Sequence, residues 1–232
     1  YTSDNLATLT MDRKLEKLVD FDEIEDISIA DAFKGELRPY QKAGYNWFHF
    51  LRKYNFGGCL ADDMGLGKTI QTLALLQKVK EEQYQKANEI LQLDDKNFKD
   101  VSFEVERLTS LIVMPTSLIH NWMSEAHKFT PDLKIFVYTG TDRVKDMSTF
   151  ANYDIVLSTY GIVRLDKDLL KDFYFHYIIL DESQIIKNQS SKIARAVKIL
   201  KSKFRLILSG TPIENSIEDL WSQMQFINPG LL

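Results

Sequence analysis

The chain has 232 residues, of which 44% are hydrophobic, so it can bury an ordinary core and is not a disordered polymer. A formal charge of −4 gives no sign that the chain as a whole binds nucleic acid, so any such contact would need a local basic surface. The single cysteine, Cys59, excludes an intrachain disulfide and fits a reducing compartment, and the sequence shows no signal peptide and no membrane span.

The N-terminal part of the sequence predicts an irregular segment followed by a helix. Residues 1–35 are acidic and irregular, and we interpret them as an N-terminal extension or the stub of a preceding domain, with a structural role. A helix is predicted over residues 37–54, with Pro39 in the first turn, where proline is tolerated. Gln41 offers an amide that can pair with adenine, although a glutamine at such a position is more often a surface residue. The predicted apolar face of the helix consists of Tyr40, Gly44, Trp47, Phe48 and Leu51.

A glycine-rich turn comes next and organises the rest of the chain. Residues 62–69 read Asp-Asp-Met-Gly-Leu-Gly-Lys-Thr, between an apolar run at 57–61 and a helical pattern that starts at residue 70. A strand, a glycine-rich turn and a helix in this order are typical of a phosphate-binding loop. Asp62 stands where the general pattern has glycine, so an accidental Gly-Lys-Thr at a helix start is the alternative interpretation.

The residues of this turn fit the chemistry of nucleotide binding. Gly65 and Gly67 allow a tight turn that presents backbone N–H groups to phosphate oxygens, and the helix start adds partial positive charge. Lys68 would reach the β- and γ-phosphates, and Thr69 would hold Mg²⁺. With Gln41, the predicted nucleotide-binding residues are Asp63, Met64, Gly65, Leu66, Gly67, Lys68 and Thr69.

Strands and helices alternate in the remainder of the sequence. After a helix over residues 69–85, residues 86–109 are polar and without a strong period, which favours a helical extension and a loop inserted at the surface. Continuous apolar runs then predict buried strands, and the alternation implies a mainly parallel sheet with helices on both faces. The predicted strands are 110–114, 134–138, 154–157, 177–180 and 204–208, and the last predicted helix covers 217–226.

Polar residues follow the apolar strands directly. In an open parallel sheet the carboxyl ends of the strands face one crevice where ligands bind. We therefore expect the phosphate-binding loop to share one edge of the sheet with the polar residues that end the strands. Those residues are Thr116, Ser158, Asp181, Glu182 and Ser209.

The acidic pair at the end of one strand has a specific chemical use beside such a loop. Asp181 can organise Mg²⁺ together with Thr69. Glu182 can orient and deprotonate an attacking water. The alternative is an ordinary strand terminus that ends in two solvated acids.

Several motifs stand in a fixed order, and together they resemble the first RecA-like lobe of a Swi/Snf-type ATPase of the superfamily 2 helicases. The resemblance covers about residues 36–232, and Asp62 is normal in this family. The motifs lie at residues 37–41, 62–69, 181–184, 209–215, 220–222 and 228–232.

This resemblance implies a RecA-like P-loop fold of the α/β class, ATP and Mg²⁺ as cofactors, and translocation on double-stranded DNA without strand separation. It also implies remodelling of protein–DNA complexes. Gln41 would recognise adenine, and Lys68, Asp181 and Glu182 would carry hydrolysis. The residues that would couple the nucleotide state to DNA movement are Gln184, Ser209, Gly210 and Thr211. The residues that would form the DNA-tracking edge are Thr116, Ser117, Asn121, Trp122, Ser158, Thr159 and Tyr160.

The sequence departs from the family pattern at the acidic motif. It reads Asp-Glu-Ser-Gln, where Asp-Glu-Ala-His or Asp-Glu-Ala-Gln is commoner, so Gln184 can still form hydrogen bonds but cannot titrate. Residues 186–188 and 212–215 look more like bacterial members of the family. We therefore expect a bacterial protein of the cytoplasm, associated with the nucleoid, with the nucleus as the alternative location.

A run without acids lies between Glu182 and Glu214 and contains seven cations. A helix predicted from about Ser190 would turn its apolar side to the core and its cations outward. This pattern fits either a solvated helix face or an electrostatic contact to phosphates or to a partner domain. The cations are Lys187, Lys192, Arg195, Lys198, Lys201, Lys203 and Arg205.

The sequence starts at Tyr1 without Met and stops at Leu232, where a first lobe should end, so we expect a fragment that lacks the second lobe. An arginine finger from a second lobe is worth about 10³–10⁵ in rate. The isolated lobe should therefore bind ATP weakly, hydrolyse it very slowly and not translocate.

Two alternatives stay open at this point. The same ATPase could serve RNA polymerase recycling or restriction and defence, or the chain could be a non-catalytic, nucleotide-gated interaction module. The expected partners are double-stranded DNA, the second lobe and a DNA-bound protein such as RNA polymerase, with no membrane.

Overall fold

The computed structural model describes residues 23–94, 108–186, 188, 190–210 and 217–229. Its centre is a six-stranded sheet in which all neighbouring strands run parallel. The strands are β1 Gly58–Leu60, β2 Ser110–Met114, β3 Ile135–Tyr138, β4 Ile155–Thr159, β5 Tyr174–Asp181 and β6 Lys201–Leu208. Their order across the sheet is β1-β6-β5-β2-β4-β3. The predicted mainly parallel α/β fold is confirmed.

Helices cover both faces of this sheet. They are α1 Pro39–Lys53, α2 Lys68–Asp94, α3 Ile119–Phe129, α4 Tyr160–Leu165, α5 Lys167–Leu170, α6 Lys192–Lys198 and α7 Ile217–Ile227. Short 3₁₀ turns lie at Thr116–Leu118, Met147–Asn152 and Ser183–Ile186. None of the helices in these described ranges is both long enough and apolar enough to cross a membrane.

The strands bury both of their faces, which is why they are continuously apolar in sequence. In β2, Ile112 and Met114 pack into a core layer with residues of α1, α2 and α3. Leu111 and Val113, which alternate with them, pack into the opposite layer with residues of α4, α6 and α7. Since successive side chains of a strand point to opposite faces, the two layers follow directly from the alternation.

The N-terminal segment from residue 23 belongs to the packed lobe. Ala30 and Phe33 are buried against Tyr45 of α1 and Ile70 of α2. The Tyr45 hydroxyl donates to the carbonyl of Ser28 at 2.9 Å. The described part of this segment therefore packs against α1 and α2, and the interpretation of residues 1–35 as an extension or the stub of a preceding domain stays a prediction.

One residue of the predicted apolar face of α1 is exposed to solvent. Tyr40 is 40% exposed, and its hydroxyl donates to the Leu66 carbonyl of the phosphate-binding loop. The predicted burial of Tyr40 was therefore wrong, because the ring lies beside the loop and not under the sheet.

Three predicted boundaries differ from the structure by three residues or more. Strands β5 and β6 begin at Tyr174 and Lys201, three residues earlier than predicted, because residues at their starts pair with each other across the two strands. Helix α2 continues to Asp94, so it takes up the first part of the predicted polar insertion. The part of the insertion at residues 95–107 lies outside the described residues.

Candidate active site

The register of the sheet brings the phosphate-binding loop and the acidic pair to one edge. Leu208 of β6 pairs with Leu60 of β1 on one side and with Asp181 of β5 on the other. These three residues form a row, and the loop starts directly after Leu60. Leu60 and Asp181, the two ends of the row, are two inter-strand spacings apart, a distance of about 10 Å. The prediction that the two motifs share one edge of the sheet is confirmed.

The loop itself has the conformation that its glycines permit. Gly65 and Gly67 both have φ of +83°, a region that side chains other than glycine rarely adopt. The Lys68 side chain is only 8% exposed, and its ammonium group donates to the carbonyls of Asp62 at 2.7 Å and Asp63 at 3.1 Å. The loop therefore wraps around a lysine amine, which is the group that a phosphate would need to meet.

A buried glutamine behind the loop explains the aspartate that departs from the general pattern. Gln71 is fully buried in α2, and its amide donates to the Asp62 carboxylate at 3.1 Å and to the Gly67 carbonyl at 3.3 Å. A Cβ on Gly44 would lie 2.0 Å from the Gln71 amide oxygen, so α1 passes close to this amide. Asp62 thus anchors the loop to helix α2. The sequence reasoning missed Gln71, whose position one helical turn after Gly67 was the available signal.

Gln41 also holds the loop in this structure. Its amide oxygen accepts the Arg38 N–H at 2.9 Å, and its amide nitrogen donates to the Leu66 carbonyl at 3.0 Å. The Tyr40 hydroxyl donates to the same Leu66 carbonyl at 3.1 Å. The predicted pairing of Gln41 with adenine stays a prediction, and it would require the amide to exchange these main-chain partners.

A cavity of about 480 Å³ opens beside Gln41, between α1, the loop and α3. Gly65 lies on its wall, at a point where an added Cβ would meet no atom within 4 Å. The other lining residues are Glu36, Arg38, Tyr40, Ile70, Ser124, Glu125, Lys128 and Phe129. A second cavity, of about 910 Å³, lies at the opposite edge of the sheet beside the starts of β5 and β6, and no predicted site residue lines it.

The first acid of the pair is buried and fully engaged. Asp181 is 6% exposed, and its two carboxylate oxygens accept the Glu182 N–H at 2.9 Å and the Trp122 indole N–H at 2.8 Å. Burial is the strongest influence and raises the pKa of the Asp181 carboxyl, while the Trp122 hydrogen bond and the positive charge of Lys68 oppose it.

The second acid has a strained backbone and a partly buried side chain. Glu182 has φ of +52°, which is uncommon for a residue other than glycine. Its carboxylate accepts the Gln184 amide N–H at 2.6 Å. The predicted coupling residue Gln184 therefore contacts the predicted general base directly. Strand β5 ends at Asp181, directly before this left-handed residue, whose backbone cannot continue an extended strand.

The coupling motif after β6 lies against the phosphate-binding loop. The Ser209 N–H donates to the Leu60 carbonyl at 3.1 Å, at the base of the loop. A Cβ on Gly210 would lie 3.3 Å from the side chain of Met64, which itself is 77% exposed. Thr211 lies outside the described residues. Ser209 and Gly210, the two described members of the motif, therefore lie beside the phosphate-binding loop and its base.

The structure divides the predicted DNA-contact residues into two groups. Thr116 and Ser117 lie in the 3₁₀ turn before α3, Asn121 lies in the first turn of α3, and none of the three is buried. The Asn121 amide donates to Glu125, one turn further along the same helix. These three residues are available to a ligand at the edge of the sheet.

The other four residues are buried, which corrects their assignment to DNA contact. Ser158 donates to the Tyr138 carbonyl at 2.9 Å, and the Thr159 hydroxyl accepts the Ile162 N–H and caps α4. The remaining two residues, Trp122 and Tyr160, donate to Asp181. A buried side chain offers no surface to DNA, and all four support the sheet edge from inside.

Two cations of the basic run donate hydrogen bonds to neighbouring parts of the lobe. Arg205 is largely buried, donates to main-chain carbonyls of Leu200 and Phe226, and burial lowers its pKa to about 10. Lys198 donates to the side chain of Gln225. Lys187 lies outside the described residues.

Two other cations of the run lie on an open surface. Lys192 and Arg195 line a cavity of about 540 Å³ together with Arg164, Leu165 and Lys167. We call this surface the basic groove. It joins the start of α6 to the end of α4, so its positive charge comes from two separate parts of the sequence.

The residues present fit a Mg²⁺–nucleotide complex. The loop offers backbone N–H groups and an amine to phosphate, and Thr69 and Asp181 offer a hydroxyl and a carboxylate oxygen, which are ligands that Mg²⁺ prefers. Mg²⁺ is usually bound by one or two carboxylates together with substrate phosphates and waters. Within the described part of the chain, no group of three or more His, Cys, Asp or Glu residues could hold a metal ion.

Comparisons with known proteins agree with this geometry. A protein-family model described as the SNF2-related domain matches residues 40–232. The TATA-binding protein-associated factor mot1 of Aspergillus fumigatus is 41% identical over 218 residues, which is 93% of this chain and 11% of that protein. The putative ATP-dependent helicase/translocase YwqA of Bacillus subtilis is 40% identical, over 94% of this chain and 22% of that protein. The chain thus spans only a small part of these relatives.

A solved structure shares both sequence and fold with the chain. The Sulfolobus solfataricus SWI2/SNF2 ATPase core in complex with dsDNA is 43% identical, with a TM-score of 0.74, over 90% of this chain and 39% of that one. The Sulfolobus solfataricus SWI2/SNF2 ATPase core domain is 42% identical, with a TM-score of 0.71, over 91% of this chain and 38% of that one. With its phosphate-binding loop, its acidic pair and its parallel sheet in the matching order, the chain belongs to the SNF2-related domain family.

Proposed function

We propose that the chain is the first ATP-binding lobe of a motor that hydrolyses ATP and moves along double-stranded DNA. The observation that carries this proposal is the row formed by Leu60, Leu208 and Asp181, which places an amine-bearing loop and a pair of carboxylates about two strands apart at one edge. Family membership and the likeness to an ATPase core in complex with dsDNA support it.

The residues at this edge divide the work of nucleotide binding. The N–H groups of the loop and the Lys68 amine bind phosphate oxygens, and Lys68 would leave the carbonyls of Asp62 and Asp63 to do so. Thr69 and Asp181 would hold Mg²⁺, which neutralises charge on the phosphates when it is bound. The cavity beside Gln41 and Gly65 adjoins the loop and offers space for the nucleoside.

Glu182 acts on the attacking water. It lies at the end of β5, directly after Asp181, and its carboxylate is held on one side by the Gln184 amide. A carboxylate in that position can orient a water and accept its proton. Because Gln184 cannot titrate, its contribution is to fix the direction of the carboxylate.

The DNA target lies along the sheet edge and the basic groove. Thr116, Ser117 and Asn121 offer polar contacts to a DNA backbone, which position a protein without reading sequence. The cations of the basic groove would extend that contact. Since relatives are described as TATA-binding protein-associated factors, we include the removal of a DNA-bound protein in the proposal. RNA polymerase recycling and defence are alternative targets of the same motor, and a pulldown with the full-length protein separates them.

The source and location are proposed from sequence features alone. Relatives occur in fungi, a plant and bacteria. Residues 186–188 and 212–215 resemble the corresponding residues of bacterial family members, which favours a bacterial, cytoplasmic protein associated with the nucleoid. The nucleus is the alternative location.

The test is a comparison of Glu182→Gln with wild type in the full-length protein. We expect nucleotide binding to persist and hydrolysis to fall by at least about 10²-fold, since a general base contributes about 10²–10⁴. The matched control is Asp168→Asn, which removes an exposed carboxylate paired with Lys171 and should leave turnover unchanged. Hydrolysis by Glu182→Gln at the wild-type rate would contradict the proposal.

Motor activity needs its own measurement. Duplex DNA should stimulate ATP turnover, and the protein should displace a third strand from a DNA triplex placed in its path. The 232-residue chain on its own should hydrolyse ATP very slowly, because the arginine finger of a second lobe is worth about 10³–10⁵ in rate. DNA-stimulated turnover by the chain alone, at the level of the full-length protein, would contradict the dependence on a second lobe.

A further inference from the structure

Two aromatic donors from different helices hold the aspartate of the acidic pair. The indole N–H of Trp122 in α3 donates to the Asp181 carboxylate at 2.8 Å. The hydroxyl of Tyr160, the first residue of α4, donates to the Asp181 main-chain carbonyl at 2.8 Å. Trp122 is 1% exposed and Tyr160 is 4% exposed, so both hydrogen bonds are shielded from water. A shielded hydrogen bond to a charged group is worth more than one at the surface.

Both donors stand on elements that start at the edge proposed to meet DNA. Helix α3 follows Thr116 and Ser117 after β2, and Trp122 lies in its first turn with a buried side chain. Helix α4 follows β4 directly and is capped by Thr159. Strand β2 lies between β4 and β5 in the sheet, so the start of α3 lies beside the end of β5 and the start of α4 lies one strand further on the same side. The two helices pack on opposite faces of the sheet. A displacement of either helix start would therefore move a donor of Asp181.

The two donors act on different parts of the acidic pair. Trp122 contacts a carboxylate oxygen and so fixes the rotamer of Asp181. Tyr160 contacts the carbonyl of the peptide that joins Asp181 to Glu182. That peptide leads into the strained backbone of Glu182, with φ of +52°. Tyr160 therefore fixes the direction in which Glu182 leaves the strand.

We propose that Trp122 and Tyr160 are positioning residues that transmit DNA engagement at the starts of α3 and α4 to Asp181 and Glu182. This inference rests on the proposed DNA-stimulated ATPase function. In this proposal the stimulation of ATP turnover by DNA depends on two buried hydrogen bonds and not on a contact between Trp122 or Tyr160 and DNA. Removal of either donor should therefore uncouple turnover from DNA without weakening DNA binding.

The test uses Trp122→Phe and Tyr160→Phe in the full-length protein. Each change removes a donor and keeps an aromatic ring. Steady-state ATP turnover is measured without DNA and at saturating duplex DNA, and DNA affinity is measured separately. We expect the stimulation factor to fall by about tenfold in Trp122→Phe, the loss of a hydrogen bond to a charged group, and by less in Tyr160→Phe. DNA affinity should change by less than about twofold, because neither side chain is exposed.

Matched controls test whether the loss of any buried aromatic group has the same effect. Tyr45→Phe removes a buried hydroxyl that donates to the Ser28 carbonyl and not to the acidic pair. Trp47→Phe shrinks a ring that packs against the core on α1. Both controls should keep the wild-type stimulation factor. If Trp122→Phe fails to fold, replacement of Trp122 by benzothienylalanine removes the N–H and keeps the shape.

Three results would overturn the inference. The first is an equal loss of turnover with and without DNA, which would show a merely structural role. The second is weaker DNA binding with full stimulation at saturating DNA. The third is stimulation at the wild-type level in both variants while the wild-type protein itself is stimulated, and this result would leave the proposed function intact. A wild-type protein without any DNA stimulation would instead overturn the proposed function, and the inference with it.

Discussion

The two glycines of the phosphate-binding loop should respond very differently to the same substitution. Gly65 and Gly67 have the same φ of +83°, so alanine at either position has the same backbone strain, about 1–2 kcal/mol. A Cβ at Gly65 would meet nothing within 4 Å. A Cβ at Gly67 would lie 2.4 Å from the amide nitrogen of Gln41 and 2.9 Å from Ile70. Gly67→Ala therefore has to displace a side chain, whereas Gly65→Ala does not.

The extra loss can be worked out from the contacts of Gln41. Displacement of its amide breaks the hydrogen bonds with Arg38 and Leu66, each worth about 1 kcal/mol. We expect Gly67→Ala to lower the free energy of unfolding by about 3–4 kcal/mol and Gly65→Ala by about 1–2 kcal/mol. For a domain of this size, the difference corresponds to about 4–8 °C in Tm.

Urea unfolding of the chain and of its variants measures these values, with fluorescent-nucleotide binding as the functional readout. Gly140→Ala, at a φ of +83° with open space and outside the loop, is the control for backbone strain alone. In a Gln41→Ala background the clash with the amide and both hydrogen bonds are already gone and only the contact with Ile70 remains, so most of the difference between Gly67→Ala and Gly65→Ala should disappear. Equal losses at the two glycines, or additive losses in the double variant, would refute the reasoning.

Three further predictions concern acid stability, DNA affinity and backbone strain. Burial lowers the pKa of His49 from its ordinary 6.5 to about 3. Below pH 6.5 the unfolded chain therefore takes up a proton at His49 that the folded chain does not, and the free energy of unfolding decreases as the pH falls below that value. Between about pH 8 and pH 5 this group should remove about 2 kcal/mol from the free energy of unfolding, and urea titrations of His49→Gln should show a correspondingly flatter decline. Arg164→Gln and Lys192→Gln in the basic groove should weaken binding of all duplex sequences alike and reduce the slope of log affinity against log salt by about 1 for each charge. An unchanged slope would identify the groove as a solvated surface. Glu182→Gly should be more stable to urea than Glu182→Ala by about 1 kcal/mol, because φ of +52° suits glycine, and equal stability would argue against strain at this position.

The sequence predicted the fold well where local pattern and tertiary environment agree. Residues 110–114 are continuously apolar after Ser110, and β2 is buried along its whole length. The starts of β5 and β6 could not be predicted in this way, because residues 201–203 of β6 are polar and become strand only through pairing with β5. Pairing between distant segments overrides local preference, and a single sequence does not display it.

The same distinction applies to the site. The chemistry of Lys68, Asp181 and Glu182 could be predicted, because each sits at a fixed place in a motif that follows a strand. The role of Trp122 could not, because its hydrogen-bond partner is 59 residues away in sequence. The family resemblance placed it with Asn121 among the DNA contacts, but the helix turns Asn121 outward and Trp122 into the core. Periodicity predicts which side of a helix is buried but not the polar group that it meets there.

The hydrogen bonds around Asp181 have a practical consequence for trapping the protein with uncleaved nucleotide. Both carboxylate oxygens already accept an N–H, so an asparagine at this position would have to point its NH₂ group at one of two other donors. At Glu182 the corresponding amide can turn its oxygen toward Gln184 and avoid that conflict. An inactive form for structural work on the ground-state complex should therefore carry its isosteric change at the second acid, since the first position already has an N–H donor facing each of its two oxygens.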